Sequence, residues 1–294
     1  MKDIVFSGSC VALITPFKDG KVDKESLVKL LEFQLKNKTD AILVLGTTGE
    51  PATMTHDEKI EVMKIAGDVV KGRAKLIIGA GSNCTQTAIE NCLEAKRYGA
   101  DAVLVVTPYY NKCTQNGIVE HYKAIAKEVD IPIIAYNVPG RTGVNILPQT
   151  ALKLSEIPQL VGIKEASGNI SQIVNLCNLV CDKMAVYSGD DSLNYVFMTL
   201  GAKGAISVTA NVLPNEVKKV ITLCEQKEYD LAKQQHNKLL EINQNMFVEV
   251  NPIPVKYATK ILGLSNGEVR LPLTELEDNN KSLVEKSLNK VIGK

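Results

Sequence analysis

The five-residue segment Asp101-Ala102-Val103-Leu104-Val105 indicates the fold of this chain, and Asp40-Ala41-Ile42-Leu43-Val44 repeats its pattern. Each segment begins Asp-Ala and continues as an unbroken aliphatic run. Unbroken runs are typical of parallel strands that are buried on both faces, whereas half-exposed strands alternate with polar residues. Similar runs occur along the chain and predict eight strands, at Val11–Ile14, Ala41–Leu45, Leu76–Ile78, Ala102–Val106, Ile131–Ala135, Leu160–Ile163, Met184–Tyr187 and Ala205–Val208.

Segments with helical periodicity lie between these runs. Three of them are Lys24–Leu35, Asp57–Val70 and Gln86–Tyr98. The second follows Thr55, a plausible N-cap that forms a capping box with Glu58, and the third stops at Gly99. Because strand and helix alternate, the connections are expected to be right-handed βαβ units. We therefore predict an α/β fold, a (β/α)₈ TIM barrel over residues 1–224.

The remaining 225–294 segment reads as a small helical extension packed on the barrel. Its predicted helices are Glu225–Phe247, Lys256–Leu262 and Lys281–Ile292, and Pro252 and Pro254 separate the first two.

A doubly wound open sheet is the alternative fold, and it usually carries a Gly-rich first βα turn. The first predicted strand lacks a G-x-G-x-x-G sequence, and Gly79-Ala80-Gly81 after the third lacks the required third glycine. A P-loop is also missing, so a phosphate cradle is a weak interpretation.

The composition excludes several classes of function. A formal charge of +1 and the absence of Trp argue against a nucleic-acid partner. Seven scattered cysteines fit reduced thiols better than disulfides, and we find no metal-ligand set. Without a signal peptide or an apolar run of about 18 residues, we expect a cytoplasmic protein that does not contact membranes. We expect neither cofactor nor metal.

Catalytic residues of a barrel come from the carboxyl ends of its strands, and Lys164 is the most unusual residue there. It directly follows the run Leu160–Ile163. Burial disfavours an ammonium ion and favours the neutral amine, which is the form that attacks a ketone. An ordinary strand-end lysine that is solvated or paired with Glu165 is the alternative.

Other strand ends add polar groups, each with an ordinary structural explanation. The turn Gly46–Gly49 offers N–H groups for a carboxylate, or is a simple βα turn. Tyr110 and Tyr136 could carry protons, or be packed aromatics. Arg141 could grip a carboxylate, or be solvated. For Asp190-Asp191 we favour solvation or helix capping over a divalent ion.

Taken together, the strand-end motifs resemble the dihydrodipicolinate synthase family over nearly the whole chain and in the family's order. The motifs are G-T-T-G-E at Gly46–Glu50, T-P-Y-Y-N at Thr107–Asn111, Y-N-V-P-G-R-T-G at Tyr136–Gly143, G-I-K-E-A at Gly162–Ala166, S-G-D-D at Ser188–Asp191 and S-V-T-A-N at Ser207–Asn211.

The resemblance implies a lyase with 4-hydroxy-tetrahydrodipicolinate synthase activity, which condenses pyruvate with L-aspartate 4-semialdehyde in diaminopimelate and lysine biosynthesis. It implies that Lys164 forms a Schiff base with pyruvate and that Thr47, Tyr136 and Tyr110 relay protons. The other implied roles are the pyruvate carboxylate for Thr48, the semialdehyde carboxylate for Arg141, and the pocket wall for Gly189 and Ile206.

The resemblance also implies that Tyr110 reaches a neighbouring subunit's site across a tight dimer, two of which form a homotetramer. Some members bind lysine at that interface. His56, Asn83 and Tyr109 match those positions, but Lys59 and Thr87 replace residues of the sensitive members. We therefore predict weak or absent inhibition by lysine.

Two rival functions remain at this point. A sister enzyme, such as N-acetylneuraminate lyase or a 2-keto-3-deoxy-sugar-acid aldolase, would share Lys164, but Thr48 and Arg141 favour the synthase. A non-catalytic barrel that binds a keto acid would be expected to have lost part of this set.

Overall fold

A computed structural model describes residues 2–293, and eight parallel strands form a closed barrel. Consecutive strands are neighbours, and the eighth pairs with the first, with Cys10 opposite Ile206. The prediction of a (β/α)₈ barrel is therefore confirmed. The barrel strands are β1 (Gly8–Ala12), β2 (Ala41–Val44), β3 (Lys75–Gly79), β4 (Ala102–Val106), β5 (Ile133–Asn137), β6 (Leu160–Glu165), β7 (Ala185–Ser188) and β8 (Gly204–Ser207).

The strands are buried on both faces, as the unbroken aliphatic runs predict. On β2, Ala41 and Leu43 belong to the cluster inside the barrel, whereas Ile42 and Val44 belong to the cluster between strands and helices. Phe6 stacks on Tyr187 within the inner cluster, with ring centroids 4.3 Å apart. The barrel interior is a filled core, and the catalytic residues of such barrels lie at the carboxyl ends of the strands.

Helices surround the barrel and continue beyond it. They are α1 (Lys24–Lys36), α2 (His56–Val70), α3 (Thr85–Arg97), α4 (Gln115–Glu128), α5 (Pro148–Leu154), α6 (Ile170–Val180), α7 (Asn194–Thr199), α8 (Pro214–Glu225), α9 (Tyr229–Asn245), α10 (Ile253–Ile261) and α11 (Asp278–Ile292). A hairpin joins Phe17–Lys18 to Lys21–Val22, and Pro139–Thr142 forms a single helical turn after β5. Of the helices within residues 2–293, none combines the length and the apolar character that crossing a bilayer requires.

The predicted cap of α2 is confirmed. Thr55 accepts from the backbone N–H of Glu58, and the Glu58 carboxylate accepts from the backbone N–H of Thr55. Gly99, with φ +86°, follows α3 in the left-handed conformation expected at that position.

The prediction of one helix over Glu225–Phe247 is wrong. Glu225 ends α8, and α9 starts at Tyr229. Between them Lys227 has φ +64°, and its N–H bonds to the Cys224 carbonyl. A left-handed residue stops a helix, and here it is a lysine, so the sequence carries no glycine signal. The division at residue 225 into barrel and extension stays a prediction.

Candidate active site

A cavity of about 480 Å³ opens where the carboxyl ends of the strands meet. Predicted residues Thr47, Tyr136 and Arg141 line it. Val250 and Asn251, which precede α10, close another side. The cavity is at the end of the barrel where catalytic residues are expected.

Lys164 and Tyr136 lie together inside the barrel. They are register partners on β6 and β5, with exposed fractions of 5% and 6%. The Lys164 Nζ lies 4.4 Å from the Tyr136 ring centroid. No ion pair among residues 2–293 includes Lys164. Its amine is therefore buried against an aromatic face without a carboxylate.

Glu165 does not pair with the neighbouring lysine, so that alternative is not what the structure shows. Its carboxylate accepts from Asn137 Nδ2 at 2.8 Å and from the Ser167 N–H at 2.6 Å. Burial raises the pKa of this carboxyl above its usual value, although these hydrogen bonds oppose the rise. Glu165 joins the ends of β5 and β6 on the side away from Lys164.

Gly189 and Ile206 also belong to the barrel interior around Lys164. A Cβ at Gly189 would lie 3.0 Å from Lys164 Cε and 2.8 Å from Ala166 Cβ, so a larger residue would press on the lysine. Ile206 is buried in the inner cluster. Neither residue is among those that line the cavity, so their role in the pocket wall stays a prediction.

Thr47 and Thr48 sit in a 3₁₀ turn that follows β2. The turn is closed by the Gly49 N–H, which donates to the Gly46 carbonyl at 2.8 Å, and by the Glu50 N–H, which donates to the Thr47 carbonyl at 3.1 Å. Thr48 is buried and Thr47 is half-buried. The strand end thus presents two hydroxyls beside the cavity.

Asn251 was missed by the sequence analysis. Its Nδ2 donates to Thr48 Oγ1 at 3.0 Å, and its carbonyl accepts from Arg141 Nη2 at 3.1 Å. It joins two predicted substrate-binding residues that lie on different loops. A single Asn before Pro252 carries no signal of this role in the sequence.

Tyr110 does not line the cavity, and neither do Lys164, Thr48, Gly189 and Ile206. The side chain of Tyr110 is 92% exposed, and its φ is +71°. The preceding Tyr109 lines the cavity instead. Asn111 fixes the loop by donating from Nδ2 to the Asn83 carbonyl at 2.9 Å.

The cavity also reaches residues that the sequence analysis associated with the binding of lysine. His56 and Lys59, both on α2, line it with Tyr109. Glu94 also lines it and places a carboxylate oxygen 3.5 Å from His56 Nε2. This carboxylate was not foreseen.

The glycines of Gly79-Ala80-Gly81 serve packing. A Cβ at Gly79 would lie 2.1 Å from the Leu45 carbonyl oxygen, and one at Gly81 would lie 2.5 Å from the Val106 nitrogen. Asp191 also has a structural role, since its buried carboxylate accepts from the N–H groups of Val208 and Thr209. Asp190 caps the next turn by accepting from the Ser192 N–H, as favoured above.

Comparisons with known proteins show the family of this chain. Residues 5–291 match the model of the dihydrodipicolinate synthetase family. The chain belongs to this family. A 4-hydroxy-tetrahydrodipicolinate synthase of Geotalea uraniireducens is 50% identical over 277 residues, which cover 94% of this chain and 96% of that protein.

Solved structures show the same relationship. The dihydrodipicolinate synthase of Acinetobacter baumannii, in complex with pyruvate, is 45% identical and superposes with a TM-score of 0.95 over 97% of this chain and 99% of that one. The Aquifex aeolicus enzyme is 48% identical, with a TM-score of 0.94 over 97% and 98% of the two chains. The prediction of a lyase with 4-hydroxy-tetrahydrodipicolinate synthase activity is confirmed.

Proposed function

We propose that Lys164 is the nucleophile that condenses pyruvate with L-aspartate 4-semialdehyde. The observation that carries the proposal is the buried Lys164 amine, which lies over the Tyr136 ring and has no ion-pair partner among residues 2–293. A buried amine that is not paired with a carboxylate is available to attack a keto carbon. The pyruvate in the related A. baumannii structure supports this substrate.

The reaction needs no group beyond the chain and its substrates. The Lys164 amine attacks the keto carbon, and the keto oxygen leaves as water to give an imine. Loss of a methyl proton gives an enamine, whose carbon bonds to the aldehyde carbon while the aldehyde oxygen takes a proton. The substrate amine then adds to the imine carbon, closes the ring and releases Lys164.

We assign the proton transfers to Thr47, Tyr136 and Tyr110. Hydroxyl groups both donate and accept, so linked hydroxyls can move protons in both directions. Tyr136 and Thr47 line the cavity. Thr48, with its backbone N–H, would hold the pyruvate carboxylate, and Arg141 would hold that of the semialdehyde at the mouth.

We propose that Tyr110 completes the site of a second subunit, in a tight dimer that pairs into a homotetramer. An exposed aromatic side chain on a left-handed residue is an unfavourable arrangement in an isolated chain, and such strain is often found at functional sites. Mixing Lys164→Ala with Tyr110→Phe tests this, since each hybrid dimer would regain one complete site. Activity that reappears after subunit exchange is expected, and none would appear if Tyr110 served its own chain.

We also propose a cytoplasmic location. Its support is that all seven cysteines are free thiols and that four of them, Cys10, Cys92, Cys177 and Cys224, are buried, which suits a reducing compartment.

The deciding experiment is intact-mass analysis after mixing the protein with pyruvate and sodium borohydride, followed by peptide mapping. A single adduct on the peptide that contains Lys164 is expected. If the adduct is absent, or lies on another lysine, the proposed mechanism is wrong.

A further inference from the structure

Lys256 and Glu50 form an ion pair that is buried almost completely. Their side chains are 1% and 2% exposed, and Nζ contacts Glu50 Oε1. Glu50 ends the turn after β2, and Lys256 lies on α10 in the C-terminal extension. The pair therefore ties the extension to the turn that carries Thr47 and Thr48.

Other groups hold both members of the pair. Lys256 donates to the Glu268 carbonyl at 2.8 Å, and its Nζ lies 4.0 Å from the Phe17 ring centroid. The Arg270 backbone N–H donates to Glu50 Oε2 at 3.2 Å. Each oxygen of the Glu50 carboxylate thus contacts the extension.

Glu50 has φ +53°, a conformation that a residue with a side chain keeps only when its surroundings enforce it. The contacts with Lys256 and Arg270 hold the Glu50 backbone in this conformation at the end of the turn. Asn251 provides a second connection from the same extension, through its hydrogen bond to Thr48 Oγ1.

We propose that Lys256 is a positioning residue that acts through Glu50 to hold the Thr47–Thr48 turn in its pyruvate-binding conformation. This rests on the proposed function, in which Thr48 holds the pyruvate carboxylate. The turn carries Thr48, the proposed ligand of the pyruvate carboxylate, whereas Lys164 lies on β6, so relaxing the turn weakens pyruvate binding more than it slows the chemical steps.

The test compares the parent enzyme with Glu50→Gln/Lys256→Met, which removes both charges and so leaves neither one buried alone. The KM for pyruvate should rise on the order of 10-fold, with kcat changed by less than about 3-fold, because an interaction lost equally from ground and transition states appears in KM. The KM for the semialdehyde should stay within about twofold of the parent value. Glu50→Asp, which keeps the charge but shortens the side chain, should give a smaller rise in the same constant.

The matched control lies at the other end of the same strand. Asp40, just before β2, pairs with Lys218 at 2.7 Å, and both side chains are partly buried. The control variant Asp40→Asn/Lys218→Met should lower thermal stability without changing the KM for pyruvate. An effect of equal size on KM in both double variants would mean that general destabilisation is the cause, and would overturn the proposal.

Borohydride trapping separates this proposal from the proposed function. At saturating pyruvate both double variants should give the full adduct on Lys164, and Glu50→Gln/Lys256→Met should need more pyruvate to reach half of it. An unchanged half-saturation overturns the positioning role alone, whereas a parent enzyme that forms no adduct overturns the function on which it rests.

Discussion

Two buried lysines, Lys164 inside the barrel and Lys256 at the junction with the extension, both lie over aromatic rings but differ in their polar partners. Each amine lies over an aromatic ring, 4.4 Å from the Tyr136 centroid and 4.0 Å from the Phe17 centroid. Lys256 contacts the Glu50 carboxylate, whereas Lys164 belongs to no ion pair within residues 2–293.

In the proposed function, this difference separates a structural lysine from a reactive one. Burial lowers the pKa of Lys256 to about 8, and the Glu50 carboxylate opposes that fall. The Lys256 amine is engaged by the Glu50 carboxylate and the Glu268 carbonyl, so it is not free to attack a ketone. Burial alone therefore does not single out Lys164, and the absence of an ion-pair partner within residues 2–293 is what supports its proposed role as nucleophile.

The largest expected effect is at Lys164. The variant Lys164→Ala should lose at least about 10³-fold in kcat, because the covalent intermediate can no longer form. Steady-state assays and borohydride trapping measure this directly. If Glu50→Gln/Lys256→Met abolished the adduct and Lys164→Ala retained it, the two lysines would have been assigned the wrong way round.

The other lysine should matter for stability. We expect Lys256→Met to lower the free energy of unfolding by about 3–5 kcal/mol, because it leaves the Glu50 carboxylate buried and unpaired. Urea denaturation measures the loss, and adding Glu50→Gln should recover much of it. A single variant as stable as the parent would show that the pair is not held as described.

A third variant separates the formation of the pyruvate imine from its reaction with the semialdehyde. Arg141→Ala should keep the pyruvate adduct but lower kcat/KM for the semialdehyde by about 30-fold or more, since a charged hydrogen-bonding partner is worth roughly 2 kcal/mol or more. The control is adduct formation in the same sample. Normal semialdehyde turnover would remove Arg141 from the site.

The pH dependence of stability should also distinguish the Lys256 pair. The pKa of Lys256 is about 8 in the folded state and 10.5 ordinarily. Between pH 8 and pH 10.5 this lysine is therefore more often protonated in the unfolded chain than in the folded one. Raising the pH through this window should therefore increase the free energy of unfolding through this group. The parent should show this rise relative to Glu50→Gln/Lys256→Met, and parallel curves would contradict it.

The smallest expected effect is that of free lysine. Lys59 places a cation beside His56 and Tyr109, so we expect weak or absent inhibition in an assay of the purified enzyme. Inhibition at micromolar lysine would overturn this expectation and would direct attention to Glu94, the carboxylate beside His56.

Local patterns predicted much of the site. The unbroken aliphatic runs located all eight strands. The expectation that catalytic residues follow barrel strands directed attention to Tyr136, Thr47 and Arg141, which line the cavity, and to Lys164, which lies beside Tyr136. The helix predicted over Glu225–Phe247 failed because a left-handed lysine, Lys227, ends α8 where a glycine would have been the signal. The contacts of Asn251 with Thr48 and of Glu50 with Lys256 were not predicted, because each joins residues that are about 200 positions apart in the sequence.

The sequence by itself determined the order of strands and helices and the residue that ends each strand, because hydrophobic periodicity and capping depend on near neighbours. Only the tertiary structure decided which buried lysine meets a carboxylate, which face of β6 Lys164 occupies and how the extension reaches the turn after β2. These contacts form only when the barrel closes and brings together residues that are far apart in the sequence. No local sequence pattern predicts contacts of that kind.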